Sequence, residues 1–251
     1  MGGEDGMLNL LNACAHGLIL GPILLMVLFN TFKRSFGRRN FVRIAGLVAV
    51  GQLLYTATAF FAMRRLGLLT YDFPVFWRQG MPGASYFQLT GERFVFLLVI
   101  GMVSLVSAMI ASRTVDANRS SYANLLMLIT LGMNGTLLAS DLFSLFVFME
   151  VTGICCFVMI AMFRSRADLE GAFKYLAMSE LASIFILSGL AFLFMKTGSL
   201  RFDDLANFTA MSASPLEDTL SYVACVLLVS GFAVKTGAVP FHSWLPDAHQ
   251  S

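Results

Sequence analysis

Three ionisable side chains interrupt long apolar stretches of this sequence. Glu150, Glu180 and Lys235 each stand in a segment that otherwise carries no Asp, Glu, Lys or Arg. A charge at the bilayer centre costs about 2.5–3.5 kcal/mol on insertion scales, and such residues usually face a bundle interior or a water-filled path. Glu150 follows Asp141 by nine residues and Lys235 follows Thr219 by sixteen, so a helical rise of about 1.5 Å per residue predicts that both lie deep in the membrane.

An acid and a base at similar depth on neighbouring helices have two interpretations. As a static ion pair, Glu150 and Lys235 would hold helices together, since a pair at about 4 Å and an effective dielectric of 20 gains about 4 kcal/mol. As a proton-transfer pair they would titrate as one coupled unit, and a change in their separation would load or release a proton.

The backbone beside Lys235 favours proton transfer. Pro240 has no N–H to donate, and its ring clashes with the carbonyl four residues earlier; Pro246 has the same effect further along. A helix broken at membrane depth leaves free carbonyls, which are tolerated only inside protein or against a wet cavity. Transporters often build ion sites at such breaks. Packing alone explains a lysine at this position poorly.

The other ionisable residues in apolar surroundings are weaker candidates. Glu180, which is expected one and a half turns into its helix and near the inner rim, fits either a proton path or a structural ion pair at the rim. His242 and His249 flank the break and are candidate proton relays. His16, in the first apolar segment, is more typical of a hydrogen-bonded core histidine.

The composition predicts helices in lipid as the elements that position these residues. Of the 251 residues, 57% are hydrophobic and 13% are charged, about half the charged fraction of a soluble chain. Apolar runs of a length suited to crossing about 30 Å of hydrocarbon predict an all-α membrane protein with about seven transmembrane helices, the seventh of them broken. The runs are 7–32, 44–63, 94–112, 120–140, 142–163, 175–195 and 219–246. The net charge of +2 gives no reason to expect nucleic acid.

The basic residues predict the orientation of the chain. The loop between the first two helices carries no acid and five basic residues, which are Lys33, Arg34, Arg38, Arg39 and Arg43. Short loops rich in Lys and Arg stay on the cytoplasmic side, so the N-terminus is expected outside. The outer loop 64–93 is expected to be an ordered surface cover, and residues 201–208 are expected to form a short amphipathic helix on the outer face.

Residues 235–249, KTGAVPFHSWLPDAH, closely resemble the signature of the broken seventh helix in the antiporter-like subunits of respiratory complex I. The same family includes subunits of Mrp-type cation/proton antiporters and of membrane-bound, energy-converting hydrogenases. Residues 134–151 resemble the family's fifth-helix motif. Residues 169–176 and 197–200 read most like the Mrp D-type subunit and its hydrogenase counterpart.

The resemblance, which spans about residue 94 to the end, implies roles for single residues. Lys235 matches the family's essential seventh-helix lysine, and Glu150 matches the fifth-helix glutamate that sets its proton affinity. Glu180 has no expected counterpart. The rest of the motif is matched by Pro240, His242, Trp244, Pro246, Asp247 and His249.

The resemblance also implies a longer protein, because family members carry two inverted five-helix repeats. Residues 1–119 would hold helices 1–3 with the outer loop, and residues 120–251 would hold helices 4–7 of an incomplete first repeat. The sequence is therefore expected to be half of a channel, completed by a separate chain or shortened as a truncated product. The isolated chain is expected to sustain no transport.

The function implied is a proton-translocating subunit of a redox-driven complex in the cell (inner) membrane, of the NADH:quinone oxidoreductase or membrane-bound hydrogenase type. The chain itself is expected to bind no metal, flavin, cluster or quinone, since no suitable Cys pattern or Gly-rich loop occurs. Other membrane subunits are the expected partners. An Mrp-type Na⁺/H⁺ antiporter subunit is the alternative, and a non-conducting assembly subunit is a second one.

Overall fold

The chain is a multi-pass helical membrane protein, as the sequence predicts. The computed structural model describes residues 2–31, 40–74, 86–115, 119–163, 165–211 and 219–250. Within these ranges, six helices are long and apolar enough to cross a membrane, and a shorter apolar helix follows them. The chain divides into two compact units, residues 1–140 and 141–251. The predicted repeat boundary at residue 120 stays a prediction, because compactness does not report on internal repeats.

The first unit contains four long helices and one small sheet. Each helix covers a charge-poor run that the sequence predicts as a membrane segment. The elements are α1 (Gly2–Thr31), α2 (Asn40–Leu66), β1 (Thr70–Pro74), β2 (Tyr86–Thr90), α3 (Arg93–Thr114) and α4 (Arg119–Leu138).

Two buried amides join the four helices of this unit. Gln52 is 4% exposed and Asn134 is 0% exposed. Gln52 Nε2 donates to Asn134 Oδ1 at 3.0 Å, and Asn134 Nδ2 donates to Gln52 Oε1 at 3.1 Å. The same nitrogens reach the carbonyls of Leu97 at 3.3 Å and Leu18 at 3.0 Å. Since a buried polar group left unpaired costs about 1–3 kcal/mol, these contacts fix how the helices align.

The loop 64–93, expected to be a simple surface cover, contains an antiparallel pair of strands. Thr70 pairs with Thr90 at one end of the sheet. Its fully buried side chains are Phe73, Phe87 and Leu89. The strands were missed because each has only five residues, so alternation of apolar and polar residues is barely visible. Several residues that suggested a cover lie outside the described part of the chain: Trp77, Gly80, Pro82 and Gly83.

Two polar side chains attach this sheet to the helices. Arg93 Nη1 donates to the carbonyls of Gln88 at 2.6 Å and Leu138 at 3.1 Å, which links β2 to the end of α4. The Tyr71 hydroxyl donates to the side chain of Asn12 in α1. The sheet is therefore an anchored part of the first unit.

The second unit contains the interrupted helix. Two short 3₁₀ turns, Ala161–Phe163 and Phe241–Ser243, stand between its helices. A helix is present where the short helix 201–208 was expected, and it is the third of the α-helices in this unit. The helices are α5 (Leu142–Ile160), α6 (Arg166–Thr197), α7 (Phe202–Met211), α8 (Thr219–Lys235) and α9 (Trp244–Gln250).

Glycines let α6 and α8 pack closely. A Cβ atom on Gly231 would lie 2.6 Å from the Ile186 side chain and 2.9 Å from the Ala182 carbonyl. A Cβ atom on Gly189 would lie 2.8 Å from the Leu228 side chain. These contacts run in opposite sequence order on the two helices, so α6 and α8 are antiparallel. Small residues commonly allow such close approach between membrane helices.

Candidate functional site

The predicted break in the last membrane helix begins at Lys235, the final residue of α8. Gly237 has a φ of 66°, a left-handed conformation that glycine adopts without strain. Its N–H donates to the Val234 carbonyl at 3.1 Å, and the N–H of Ala238 donates to the Ala233 carbonyl at 2.9 Å. This is the hydrogen-bond pattern of a Schellman helix end. Gly237 therefore terminates the helix, three residues before Pro240.

The two prolines have different places in the structure. The link, residues 236–240, joins α8 to the 3₁₀ turn, and in it Pro240 follows a cis peptide bond. Without an N–H, it keeps the link from extending α8. Pro246, which was expected to interrupt the helix in the same way, lies instead in the first turn of α9, where an N–H has no helical partner in any case. His242 is exposed in the turn, and among the described residues its ring has no hydrogen-bond partner. The side chain of His249 lies outside the described part.

Lys235 and Glu150 are in direct contact between Nζ and Oε1. Their side chains are only 10% and 18% exposed, respectively. Ser183 on α6 bridges them: its Oγ donates to Glu150 Oε1 at 2.6 Å and accepts from Lys235 Nζ at 3.3 Å. Three helices thus converge on one group of an ammonium, a hydroxyl and a carboxylate, here called the charged triad. The roles of Lys235 and Glu150 in proton transfer stay a prediction.

Two groups beside Lys235 carry partial negative charge. The end of α8 carries the partial negative charge of the helix dipole, which stabilises a positive side chain. The Phe146 ring on α5, one turn before Glu150, has its centroid 6.0 Å from Nζ, at the outer limit of a cation–π contact. The ammonium and the carboxylate neutralise each other, so the site holds two charges with no net charge.

Sequence reasoning missed a row of hydroxyls on α6. Tyr175, Ser179 and Ser183 are spaced by four residues, which places them on one face of a helix. Gly153 on α5 faces this row, because a Cβ there would lie 3.6 Å from Ser179 Oγ and 3.8 Å from the Tyr175 hydroxyl. The four-residue spacing of hydroxyls within an apolar helix was the available signal.

Glu180 is not joined to the triad. It is exposed, and among the described residues it has no hydrogen bond or ion pair. Helix α6 begins at Arg166, so about 21 Å of helix precede Glu180 at 1.5 Å per residue. The expectation of one and a half turns was wrong, because the polar first turns of α6 are helical too. A relay role for Glu180 stays a prediction. His16 has the expected local bond, from Nδ1 to the Asn12 carbonyl at 2.7 Å.

A membrane bundle with an interrupted helix and an acid–base pair at the interruption defines an antiporter-like membrane subunit. Residues 139–251 match the family described as "NADH:quinone oxidoreductase/Mrp antiporter, TM". The chain is 34% identical over 237 residues to NADH-quinone oxidoreductase subunit N of Rubrobacter xylanophilus, covering 92% of this chain and 45% of the relative. It is 28% identical over 243 residues to the D-type subunit of the Na(+)/H(+) antiporter of Alkalihalophilus pseudofirmus, covering 93% and 47%.

Solved structures have the same fold. The membrane-bound sulfane sulfur reductase, an archaeal respiratory membrane complex, contains a chain that matches with a TM-score of 0.81 at 26% identity, over 94% of this chain and 47% of that chain. A chain of the Mrp complex from Dietzia sp. DQ12-45-1b matches with a TM-score of 0.77 at 24% identity, over 95% and 43%. The resemblance seen in the sequence is confirmed: the chain matches this family over residues 139–251. It spans about half the length of these relatives.

Proposed function

We propose that the chain is a proton-translocating membrane subunit of a redox-driven complex, of the NADH:quinone oxidoreductase or membrane-bound hydrogenase type. The observation that carries the proposal is the charged triad at the end of a broken membrane helix. The similarity to a quinone oxidoreductase subunit and to a chain of an archaeal respiratory complex supports the redox-driven class.

The triad offers a short route for a proton. Ser183 accepts from Lys235 and donates to Glu150, so a proton given up by the ammonium is taken by Ser183 Oγ as the hydroxyl proton passes to the carboxylate. The O–H bond of the serine breaks and reforms, and the amine and the carboxylic acid are left neutral. When the acid then gives its proton to water on one side, the neutral amine takes up a proton from the other side, and the triad returns to its starting charges.

The orientation of the subunit in the membrane and its partners are part of the same proposal. The basic first loop supports an N-terminus on the outer side of a cell (inner) membrane. Partner membrane subunits are proposed because the similar solved chains belong to complexes. In this arrangement electron transfer in other subunits would drive changes at the triad. Glu180 and His242 would act only as relays at a distance from the triad, since neither touches it.

An Mrp-type Na⁺/H⁺ antiporter subunit is the second candidate. The similarity to the antiporter's D-type subunit extends over 93% of this chain, and the fold of the Mrp chain matches closely. The same triad would then exchange protons against a sodium gradient. Proton uptake that requires Na⁺ on the opposite side would favour this candidate, and uptake independent of Na⁺ would favour the redox-driven one.

The test is proton uptake in membrane vesicles that contain the chain assembled with its native partner subunits. Glu150→Gln and Lys235→Gln are each expected to lower the rate by about tenfold or more, as for the loss of an acid or base group. Lys174→Gln and Glu170→Gln are matched controls, because these residues form an exposed ion pair at 2.8 Å on α6. Normal uptake in both triad variants would support a non-conducting assembly subunit and refute the proposal.

A further inference from the structure

The hydroxyl row on α6 leads from the triad toward the broken helix. Ser183 belongs to the triad, while Ser179 and Tyr175 follow one and two turns away. Positions four residues apart are separated by about 6 Å along the helix axis. A hydrogen bond between hydroxyls spans only about 2.7–2.8 Å, so hydroxyls one turn apart need water between them to pass a proton.

The space beside this row is kept open by Gly153. Its missing Cβ would lie 3.6 Å from Ser179 Oγ and 3.8 Å from the Tyr175 hydroxyl, so both oxygens face the same small volume. Among the described residues, neither of these hydroxyls has a hydrogen-bond partner. Ser179 is nevertheless 93% shielded, at 7% exposure. Shielded hydroxyls that face one open volume are the usual setting of an internal water.

A buried indole stands at the far end of the row. Trp244 is 6% exposed, and its Nε1 has no hydrogen-bond partner among the described residues. Its ring packs on Tyr175 with centroids 4.9 Å apart, and its Cζ2 lies 3.7 Å from the Cβ position of Gly237. Buried N–H groups nearly always have a partner, and ordered water is a common one. The row therefore joins the triad to the link that follows α8.

We propose that Tyr175, Ser179 and Gly153 line a water-filled passage that carries protons between the link end of α8 and the triad. The inference rests on the proposed function and adds the residues of one access route. Protons move by exchange: water at the Trp244 end gives a proton to the row, each hydroxyl accepts one and donates its own, and Glu150 takes the last. One proton enters for each one delivered, and each oxygen regains its starting bonds.

The sharpest test fills the passage with one methyl group. Gly153→Ala adds a Cβ at ordinary contact distance from both hydroxyls, so the fold is expected to tolerate it while water is displaced. In vesicles with the native partner subunits, proton uptake is expected to fall about tenfold, with a larger rate ratio between H₂O and D₂O. Ser179→Ala is expected to do the same, whereas Ser179→Thr keeps the hydroxyl and is expected to retain uptake. Ser188→Ala is the matched control, since this serine on α6 lies outside the four-residue series.

The outcomes separate this inference from the proposed function. Normal uptake in Gly153→Ala and Ser179→Ala, with uptake lost in Glu150→Gln, would overturn the passage and leave the function standing. Normal uptake in Glu150→Gln as well would overturn both. If Gly153→Ala does not assemble, a density map of the unmodified complex that resolves waters decides the matter. Water density between Ser179 Oγ and the Tyr175 hydroxyl supports the passage, and a dry gap refutes it.

Discussion

The contact between α6 and α8 makes a sharp prediction at Gly231. A Cβ at this position would lie 2.6 Å from Ile186 Cγ1, and two backbone atoms of α6 lie within 3.0 Å. Backbone cannot move aside as a side-chain end does. Ordinary contact begins at 3.4 Å and the Ala182 carbonyl oxygen would lie at 2.9 Å, so Gly231→Ala requires the helices to open by about 0.5 Å at this point. Overpacking of this kind typically costs about 1–3 kcal/mol.

The same opening acts on the charged triad. Lys235 is one helical turn beyond Gly231, so it moves with the displaced part of α8. The bond from Lys235 Nζ to Ser183 Oγ, already 3.3 Å long, would lengthen past the hydrogen-bond range. Gly231→Ala is therefore expected to lower both the free energy of unfolding and the rate of proton uptake, although the substituted residue carries no charge or polar group.

Unfolding by SDS in mixed micelles measures the first effect, and vesicle uptake measures the second. Gly51→Ala in α2 is the matched control, because a Cβ there would have no atom within 4 Å. In that open position alanine is expected to be neutral or to stabilise the helix by up to about 1 kcal/mol. Equal unfolding free energies for the two alanine variants would refute the close packing of α6 on α8.

Three further predictions concern other contacts. Gly237→Ala is expected to destabilise the fold by about 1–2 kcal/mol in the same SDS titration, since its φ of 66° strains a residue that has a Cβ. Asn134→Leu is expected to cost about 1–3 kcal/mol, because Gln52 Oε1 loses its donor and Gln52 Nε2 keeps only the Leu97 carbonyl. Adding Gln52→Leu is expected to cost less than a second independent loss. Burial raises the pKa of Tyr71 above its ordinary value of 10.0. The free energy that this raised pKa contributes to the stability of the fold is therefore fully present below pH 10, and it is lost as the pH rises through the folded-state pKa. Tyr71→Phe, which also loses the bond to Asn12, is expected to flatten the fall of the melting temperature as the pH rises above about 10.

Hydropathy was enough to predict the membrane helices but not how they pack. Apolar runs bounded by charged residues, such as the one that ends before Arg113, predict a spanning helix because the bilayer excludes other structures. Hydropathy does not predict the strands β1 and β2. Their pairing joins residues far apart in the sequence, as Thr70 and Thr90 are, and five-residue runs carry too little periodicity to reveal it.

The candidate site was likewise only partly predictable from the sequence. Lys235 and Glu150 stand out because a charge in an apolar run is costly and therefore conspicuous. Ser183 and Ser179 do not, since a serine hydroxyl in a helix can turn its one proton to its own backbone. The Ser179 carbonyl, 2.8 Å from Ser183 Oγ, is such an alternative acceptor to Glu150. Their importance appears only when α5 and α8 are packed around α6. The role of Pro240 in the helix break stays a prediction, and the structure adds that Gly237 terminates α8, three residues before this proline.

The placement of the break decides how the triad can change. Within α8, Gly231 holds the helix against backbone atoms of α6, so the helix body has little room to shift without losing packing. Beyond Lys235 the link is largely exposed, with Val239 at 80%. Lys235 sits at the junction of the two. A displacement of the link therefore acts on the last turn of α8 and on the lysine side chain before it acts on the rest of the helix. Because Ser183 spans the pair, a separation of Nζ from Oε1 leaves a hydroxyl between them rather than a gap. The ammonium can then part from the carboxylate while each keeps a hydrogen bond to Ser183 Oγ, which lowers the cost of exchanging protons at this depth.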